Sequence, residues 1–394
     1  MAENYIYRAQ VEELAELRAM YADTPQEVGE LTSQVVDRLY QAIKKSVSQR
    51  DLRTLFESTE YLANTATFAK RVDAVTHPDV IAEGARTVRV EGVGNRRMIG
   101  PDQLRVLHDS RTVNLYPLSA TDALRNLQIR AIGLSAVAPT IEALVAAGAE
   151  HIEGADPGIL APSNAPRNVG GAGLVRSTGK SKADALYRTL YSRNPYGVFV
   201  LREGKVVATE DERQCGGDIT YEDMFADADL VIEVIDDPRR KAEIAEFAAE
   251  FFPQTLVMFV ADLTKPIAGL SRPSQGNHFN QKISRELMQR MADPDIPINP
   301  LAKVVAMIGD HLPYEHGLDF LLFGFEKKYW SQLSSSAREL SALATHLLIA
   351  HLAGMDVLGK NFTSDDVPRH LMGELNEEAR LIYRRVMRKR FALK

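Results

Sequence analysis

A short apolar segment, Ile129 to Gly133, leads into Gly133-Leu134-Ser135-Ala136-Val137-Ala138. A strand that turns through glycine into a helix can bring backbone amides close to a phosphate, and the usual pattern there is G-x-G-x-x-G. Gly133 keeps the first of those positions, while Ser135 and Ala138 stand at the other two. Both are small, so close approach stays open. Asp156 lies just past a second short strand, where a carboxylate can bond a ribose hydroxyl. Ser163-Asn164-Ala165-Pro166-Arg167 follows, then Gly179-Lys180-Ser181-Lys182-Ala183. The strand Leu230 to Ile235 ends in Asp236-Asp237. The chemistry within reach of such a set is the holding of a nucleotide, with phosphate on Gly133 and Ser135 and ribose on Asp156.

These residues need elements to position them. Strands are expected at Ile129–Gly133, Glu150–Glu153, Val198–Leu201, Leu230–Ile235 and Leu256–Val260. Helices are expected at Ile141–Ala147, where Gly148 ends the turn, at Ser181–Tyr191, and at Pro238–Phe252, with proline in its first turn. Strands spaced by helices read as a parallel sheet with both faces covered. The fold class expected is α/β, a doubly wound Rossmann-like parallel sheet with helical extensions at both ends. In the N-terminal extension, Leu14, Leu17, Ala19 and Met20, then Val28, Leu31, Val35, Val36, Leu39 and Ile43, follow a helical period. A hairpin is expected from Thr87–Val90 and Arg97–Ile99. Beyond Pro273 the pattern is helical again, with an apolar helix at Ala337–Gly354 and an amphipathic one at Leu375–Lys394. The domain expectation is a helical 1–104 with a hairpin, a nucleotide-binding core at 105–270, and a helical 271–394 that completes the core and the substrate side.

Composition narrows the classes. The chain has 394 residues, net charge -6, 45% hydrophobic and 25% charged residues. A near-balanced charge gives no global reason to expect nucleic acid. No apolar run reaches the roughly 18 residues of a spanning helix, so no membrane partner is expected. The start MAENYIYRAQ lacks a secretory pattern, and the single Cys215 permits neither an internal disulfide nor a cysteine zinc site. The expected location is the cytoplasm.

The order Gly133 loop, Asp156, Asn164 with Arg167, Lys182, and a strand ending in Asp236-Asp237 resembles the ubiquitin-activating-like adenylating family of the ThiF/MoeB type. That family shows a glycine loop, D-x-D with a following S-N-x-x-R, then G-x-x-K, then a strand ending in T-D-N. Arg111 followed by Leu124 resembles its arginine segment ahead of the first strand. The resemblance covers about residues 108–265. It implies ATP- and Mg²⁺-dependent adenylation of a carboxylate, either a peptide or a small molecule. Arg167 and Lys182 would meet the charge on the triphosphate, Asn164 would bond a phosphate oxygen, and Asp236 would hold Mg²⁺. Arg111 would reach the site of a partner subunit, which implies a homodimer.

Three positions depart from the family pattern: Gly158 replaces the second acid of D-x-D, Ile235-Asp236-Asp237 stands for T-D-N, and the glycine loop is reduced. No cysteine follows Cys215, so the expected transfer is direct, without a thioester, as in the peptide-modifying branch related to microcin C and pantocin biosynthesis. Two other readings use the same fold. One is an NAD(P)-dependent oxidoreductase, which would use the strand, the loop and Asp156. The other is a non-catalytic scaffold, favoured by Gly158 and the reduced loop.

Other chemically tempting residues read more plainly. His311-Leu312-Pro313-Tyr314-Glu315-His316 fits no zinc spacing, and Pro313 breaks a helix there. His346 and His351 are five apart, so they do not share a helix face. Cys215 follows Glu210, Asp211 and Glu212, which disfavours a thiolate. Gly276–Asn280 is an ordinary loop or a pocket edge. Asp236 and Asp237 are also placed to cap the helix at Pro238.

Overall fold

The computed structural model describes residues 86–90, 94–109, 118–161, 164, 179–208, 219–262, 266–275, 279, 283–298, 300–308 and 334–363. The chain divides into two compact units. One comprises Met1–Arg86, Arg97–Leu118 and Met372–Lys394, and the other Thr87–Arg96 with Ser119–Leu371. The expected helices at 1–80 and 375–394 lie outside the described residues.

Strands β1 (Arg86–Val90) and β2 (Gly94–Met98) form a two-stranded sheet, at the expected hairpin. In the first unit, helix α1 (Pro101–Asp109) begins at Gly100, whose N–H donates to Gln103 Oε1 at 2.8 Å. The second unit continues from α2 (Leu118–Asn126) through β3 (Gln128–Ile132), α3 (Ala138–Ala146), β4 (His151–Asp156), α4 (Lys182–Arg193) and β5 (Val198–Glu203). Two short strands, β6 (Val206–Val207) and β7 (Ile219–Thr220), pair in parallel and lead to α5 (Tyr221–Phe225). Next come β8 (Leu230–Glu233), α6 (Pro238–Phe251), β9 (Leu256–Ala261) and β10 (Ile267–Ser271). Helices α7 (Arg285–Ala292), α8 (Pro300–Ile308) and α9 (Ser334–Leu352) precede β11 (Lys360–Thr363).

The main sheet has seven strands in the order β11-β10-β9-β8-β3-β4-β5. β9, β8, β3, β4 and β5 are parallel, with Arg130 level with both Glu153 and Val231. Numbered by chain order, the parallel part reads 5-4-1-2-3, so β3 and β8 flank the point where winding reverses. Right-handed crossovers running outward in opposite directions from β3 place α3 and α4 on one face and α6 on the other. The fold is therefore the Rossmann-like α/β arrangement expected from the sequence. It differs in that β10 and β11 extend the sheet antiparallel. β11 is a four-residue segment, KNFT, whose extended state depends on the free edge of β10 rather than on its own composition.

Burial explains the strands. Every residue of β8 is buried, as are Leu256–Val260 of β9. Continuous apolar runs of this kind belong to parallel strands covered on both faces. Under α6 and α5, Val231, Val257, Ile244, Ala248, Tyr221 and Phe225 share one core cluster. On the opposite side α3 packs against both α4 and α9, and α9 also lies on β9 and β10. Among the described residues no helix is long and apolar enough to cross a membrane.

The helix starts follow capping chemistry. Ser181 accepts from Asp184 N–H at the head of α4. Thr220 and Asp223 form a reciprocal capping box on α5. Asp237 accepts from Arg239 N–H at 2.8 Å, with Pro238 in the first turn of α6. Of the two aspartates, Asp237 is therefore the cap.

Gly133 requires its glycine. Its φ is +90°, and a Cβ there would stand 3.4 Å from Val234 O. Gly133→Ala is expected to cost roughly 1–2 kcal/mol, the penalty of left-handed backbone for an L-residue. A denaturant midpoint equal to that of the unsubstituted protein would count against this conformation.

Candidate functional site

The C-terminal ends of β3, β4 and β8 surround a cavity of about 430 Å³. Ligands of open α/β sheets bind at this place, in the crevice where winding reverses. Gly133, Ser135 and Ala136 line the cavity where the β3 turn leads into α3. Asp156 and Pro157 come from the end of β4, Lys182 from the start of α4, and Val234–Asp237 from the β8–α6 loop.

Asp156 is the structural centre of one wall. It is buried, and its Oδ2 accepts the Leu134 N–H at 2.8 Å. Its Oδ1 accepts the Gly158 N–H at 2.7 Å and lies 3.5 Å from Lys182 Nζ. The carboxylate thus ties the glycine turn of β3 to the loop after β4. Each oxygen can accept two donors, so Oδ2 keeps capacity beyond the Leu134 amide among the described residues. The Gly133 N–H donates to Ala155 O at 2.9 Å, a second tie between the same two strand ends.

Gly158 lies against the same two side chains: a Cβ at this position would stand 2.7 Å from Lys182 Nζ and 2.8 Å from Asp156 Oδ1, both of them side-chain ends that can shift.

The opposite wall holds Asp236, which is exposed and makes no hydrogen bond or ion pair among the described residues. Three cations line the cavity that the sequence reading did not single out: Lys205, Arg239 and Arg240. Arg240 pairs with Glu243 at 2.8 Å, and Arg239 also contacts that carboxylate. The Tyr221 hydroxyl donates to Glu243 at 3.3 Å. Burial, then the charge of Glu243, raises the Tyr221 phenol far above its ordinary value, so it stays protonated. The run Pro238-Arg239-Arg240-Lys241, directly after two aspartates, was the available sequence signal for this cationic rim. Lys205 had none, because only the fold brings the β5–β6 turn beside β4.

Beneath the β8–α6 loop lies a buried ion pair. Glu233 closes β8 and is 2% exposed. Its Oε1 accepts the Ile235 N–H at 3.0 Å and a bond from Lys241 Nζ. Burial raises the Glu233 carboxyl above its ordinary value, and Lys241 opposes that shift. Lys241 also lies over the Phe259 ring, 4.8 Å from its centroid.

The structure thus brings together Gly133, Ser135, Asp156, Lys182 and Asp236. Asn164 is buried and outside the cavity lining, with Oδ1 accepting Ala161 N–H at 2.8 Å. Arg111, Arg167, Cys215, the His311–His316 segment, and Gly276–His278 with Asn280 lie outside the described residues. His346 and His351 are partly buried, and desolvation lowers the pKa of both.

No protein-family model matches the chain, and no curated protein sequence does either. Among solved structures the chain is similar to MccB of E. coli with ATP. The identity is 13% over 77% of this chain and 86% of that one, at a TM-score of 0.46. It is also similar to MccB of E. coli with AMPCPP and MccA, at 14% identity, 66% and 68% coverage and a TM-score of 0.45. A third likeness is to PaaA, at 14% identity, 77% and 79% coverage and a TM-score of 0.45.

Proposed function

We propose that the chain binds ATP with Mg²⁺ at this cavity and adenylates a carboxylate of a peptide or small molecule. The observation that carries the reading is the pairing of opposite walls at the reversal point of the sheet. One wall presents Lys182 on Asp156, the other presents Asp236, and a cationic rim surrounds both.

In this reading a carboxylate oxygen bonds to the α-phosphorus as the bond to pyrophosphate breaks. Lys182, Lys205 and Arg239 oppose the negative charge on the leaving group, with Arg167 as a further cation. Asp156 orients the ribose through Oδ2 while it holds the Gly133–Leu134 turn. Mg²⁺ supplies charge neutralisation and a template for the phosphates. Mg²⁺ commonly takes one or two carboxylates plus phosphate oxygens, and Asp236 supplies the exposed carboxylate. With Cys215 as the sole cysteine, the acyl group passes directly to another nucleophile. Residues 105–270 act as the nucleotide-binding core and 271–394 complete the substrate side. A homodimer, with Arg111 reaching the partner's site, belongs to the same reading; the molar mass of a single chain by light scattering would exclude it.

Titration calorimetry tests the nucleotide. Heat is expected with ATP and Mg²⁺, and much weaker heat with NAD⁺ or NADP⁺. Saturable NAD⁺ or NADP⁺ binding with none for ATP would transfer the site to oxidoreductase chemistry.

A further inference from the structure

We propose that Glu233 is a positioning residue of the cavity, clamping the β8–α6 loop through the Ile235 amide so that Asp236 and the Gly133 turn keep their places. The part of this that concerns Mg²⁺ and ATP rests on the reading above.

The case begins with a charge in an unexpected place. β8 is an apolar strand at the centre of the sheet, and Glu233 stands level with Ile132 on one side and Phe259 on the other. A carboxylate there must be paired and hydrogen-bonded. Lys241 from α6 supplies the charge, and the Ile235 N–H supplies a backbone donor. That backbone donor is the informative partner. The Val234–Ile235 peptide faces Gly133: a Cβ on the glycine would stand 3.4 Å from Val234 O and 4.0 Å from Ile235 N. Val234 N–H also donates to Ile132 O at 3.1 Å. The peptide is therefore held against the glycine turn and on Glu233, and the next residue along the chain is Asp236.

Lys241 of α6 balances the charge of Glu233 in its buried place, while the clamp itself is the bond to the Ile235 amide. One buried carboxylate thus couples the Gly133 turn to the exposed Asp236. Partners that orient a ligating group without touching the metal typically change affinity about 10–100-fold when removed.

The experiment separates hydrogen bond from charge with two neutral pairs in the full chain. Glu233→Leu with Lys241→Met removes both charges and the acceptor. Glu233→Gln with Lys241→Met removes both charges and keeps an amide oxygen for Ile235. Two measurements are made on each: hydrogen exchange at Ile235, which needs no ligand, and the Mg²⁺ concentration for half-maximal ATP binding. The Leu/Met pair is expected to lose Ile235 protection and to need about tenfold more Mg²⁺. The Gln/Met pair is expected to behave as the unsubstituted protein in both. Should the Leu/Met pair fail to fold, Glu233→Asp takes its place, because it keeps the charge for Lys241 and withdraws the carboxylate from Ile235. Unchanged exchange and Mg²⁺ requirement in the Leu/Met pair overturns the clamp, as does equal impairment of both pairs. An unsubstituted protein that binds no ATP at any Mg²⁺ concentration overturns the nucleotide reading instead, and the exchange result then decides the clamp alone.

Discussion

On the proposed reading, Lys182→Ala is expected to weaken Mg²⁺-dependent ATP binding by about 10- to 100-fold, the worth of one charge-assisted hydrogen bond at roughly 1.5–3 kcal/mol. The expected loss in turnover is larger, about 10²–10³, since in that reading the cation would meet charge that grows as pyrophosphate departs. The fold is retained. Among the described residues Lys182 is one of three groups on the Asp156 carboxylate, and the Leu134 and Gly158 amides remain when it is gone. Asp156→Ala behaves differently. It strands two backbone amides and leaves Lys182 without its carboxylate, at about 1–3 kcal/mol for each buried group left unpaired. The two variants therefore separate: the first loses binding at an unchanged melting temperature, the second loses both. Calorimetry with ATP and thermal melts of each variant measure this. Unchanged ATP affinity in a folded Lys182→Ala protein would reduce Lys182 to a tether for Asp156.

The legibility of this site follows from strand ends. Gly133, Asp156 and Asp236 each stand where an apolar run stops, and Lys182 stands where Ser181 caps a helix. In a sheet wound outward from β3, the ends of β3, β4 and β8 meet, so residues placed by local pattern arrive together. The reversal point itself is not written in any segment. It depends on β8 pairing with β3 rather than with β5. Lys205 became visible only through that topology. β10 and β11 escaped for another reason. IAGLS is short and contains a glycine, KNFT is mostly polar, and each becomes a strand by completing the edge of its neighbour. Glu233 was hidden by its surroundings, an acid in the run Leu230 to Ile235. Its partner Lys241 sits on the following helix, among Arg239 and Arg240 that read as an ordinary charged face. Asn164 shows the converse: a motif residue, plain in the chain, whose side chain bonds its own loop at Ala161.

Lys241→Met is expected to give a large loss of stability. Breaking a buried ion pair by removing one partner typically costs about 3–5 kcal/mol, because the remaining charge is left uncompensated. The remaining charge is Glu233, whose side chain is 3% exposed, against 12% for Lys241. The cost depends on pH, and its sign is fixed by the direction of the Glu233 shift. Burial, with a smaller contribution from Asp236, raises its folded pKa above the ordinary 4.5, while Lys241 and the Ile235 amide oppose the rise. Without Lys241 the folded value rises further. Between 4.5 and that raised value the folded protein binds the extra proton, so stability falls as pH rises. The penalty of Lys241→Met is therefore full above the variant's folded pKa, shrinks as pH falls through it, and reaches its floor once pH is below the raised folded pKa of the unsubstituted protein. His346 and His351 act in the opposite sense. Their lowered values remove stability as pH drops below 6.5. They are present in both proteins and cancel in the difference. Urea unfolding of Lys241→Met and the unsubstituted protein across a pH series measures that difference directly. The Glu233→Gln with Lys241→Met pair has no carboxyl to titrate, so its difference from the unsubstituted protein follows only that protein's own Glu233, between 4.5 and its raised folded value. A penalty for Lys241→Met alone that is equally large at acid and neutral pH would show that the lysine acts through packing on Phe259 rather than through the charge of Glu233.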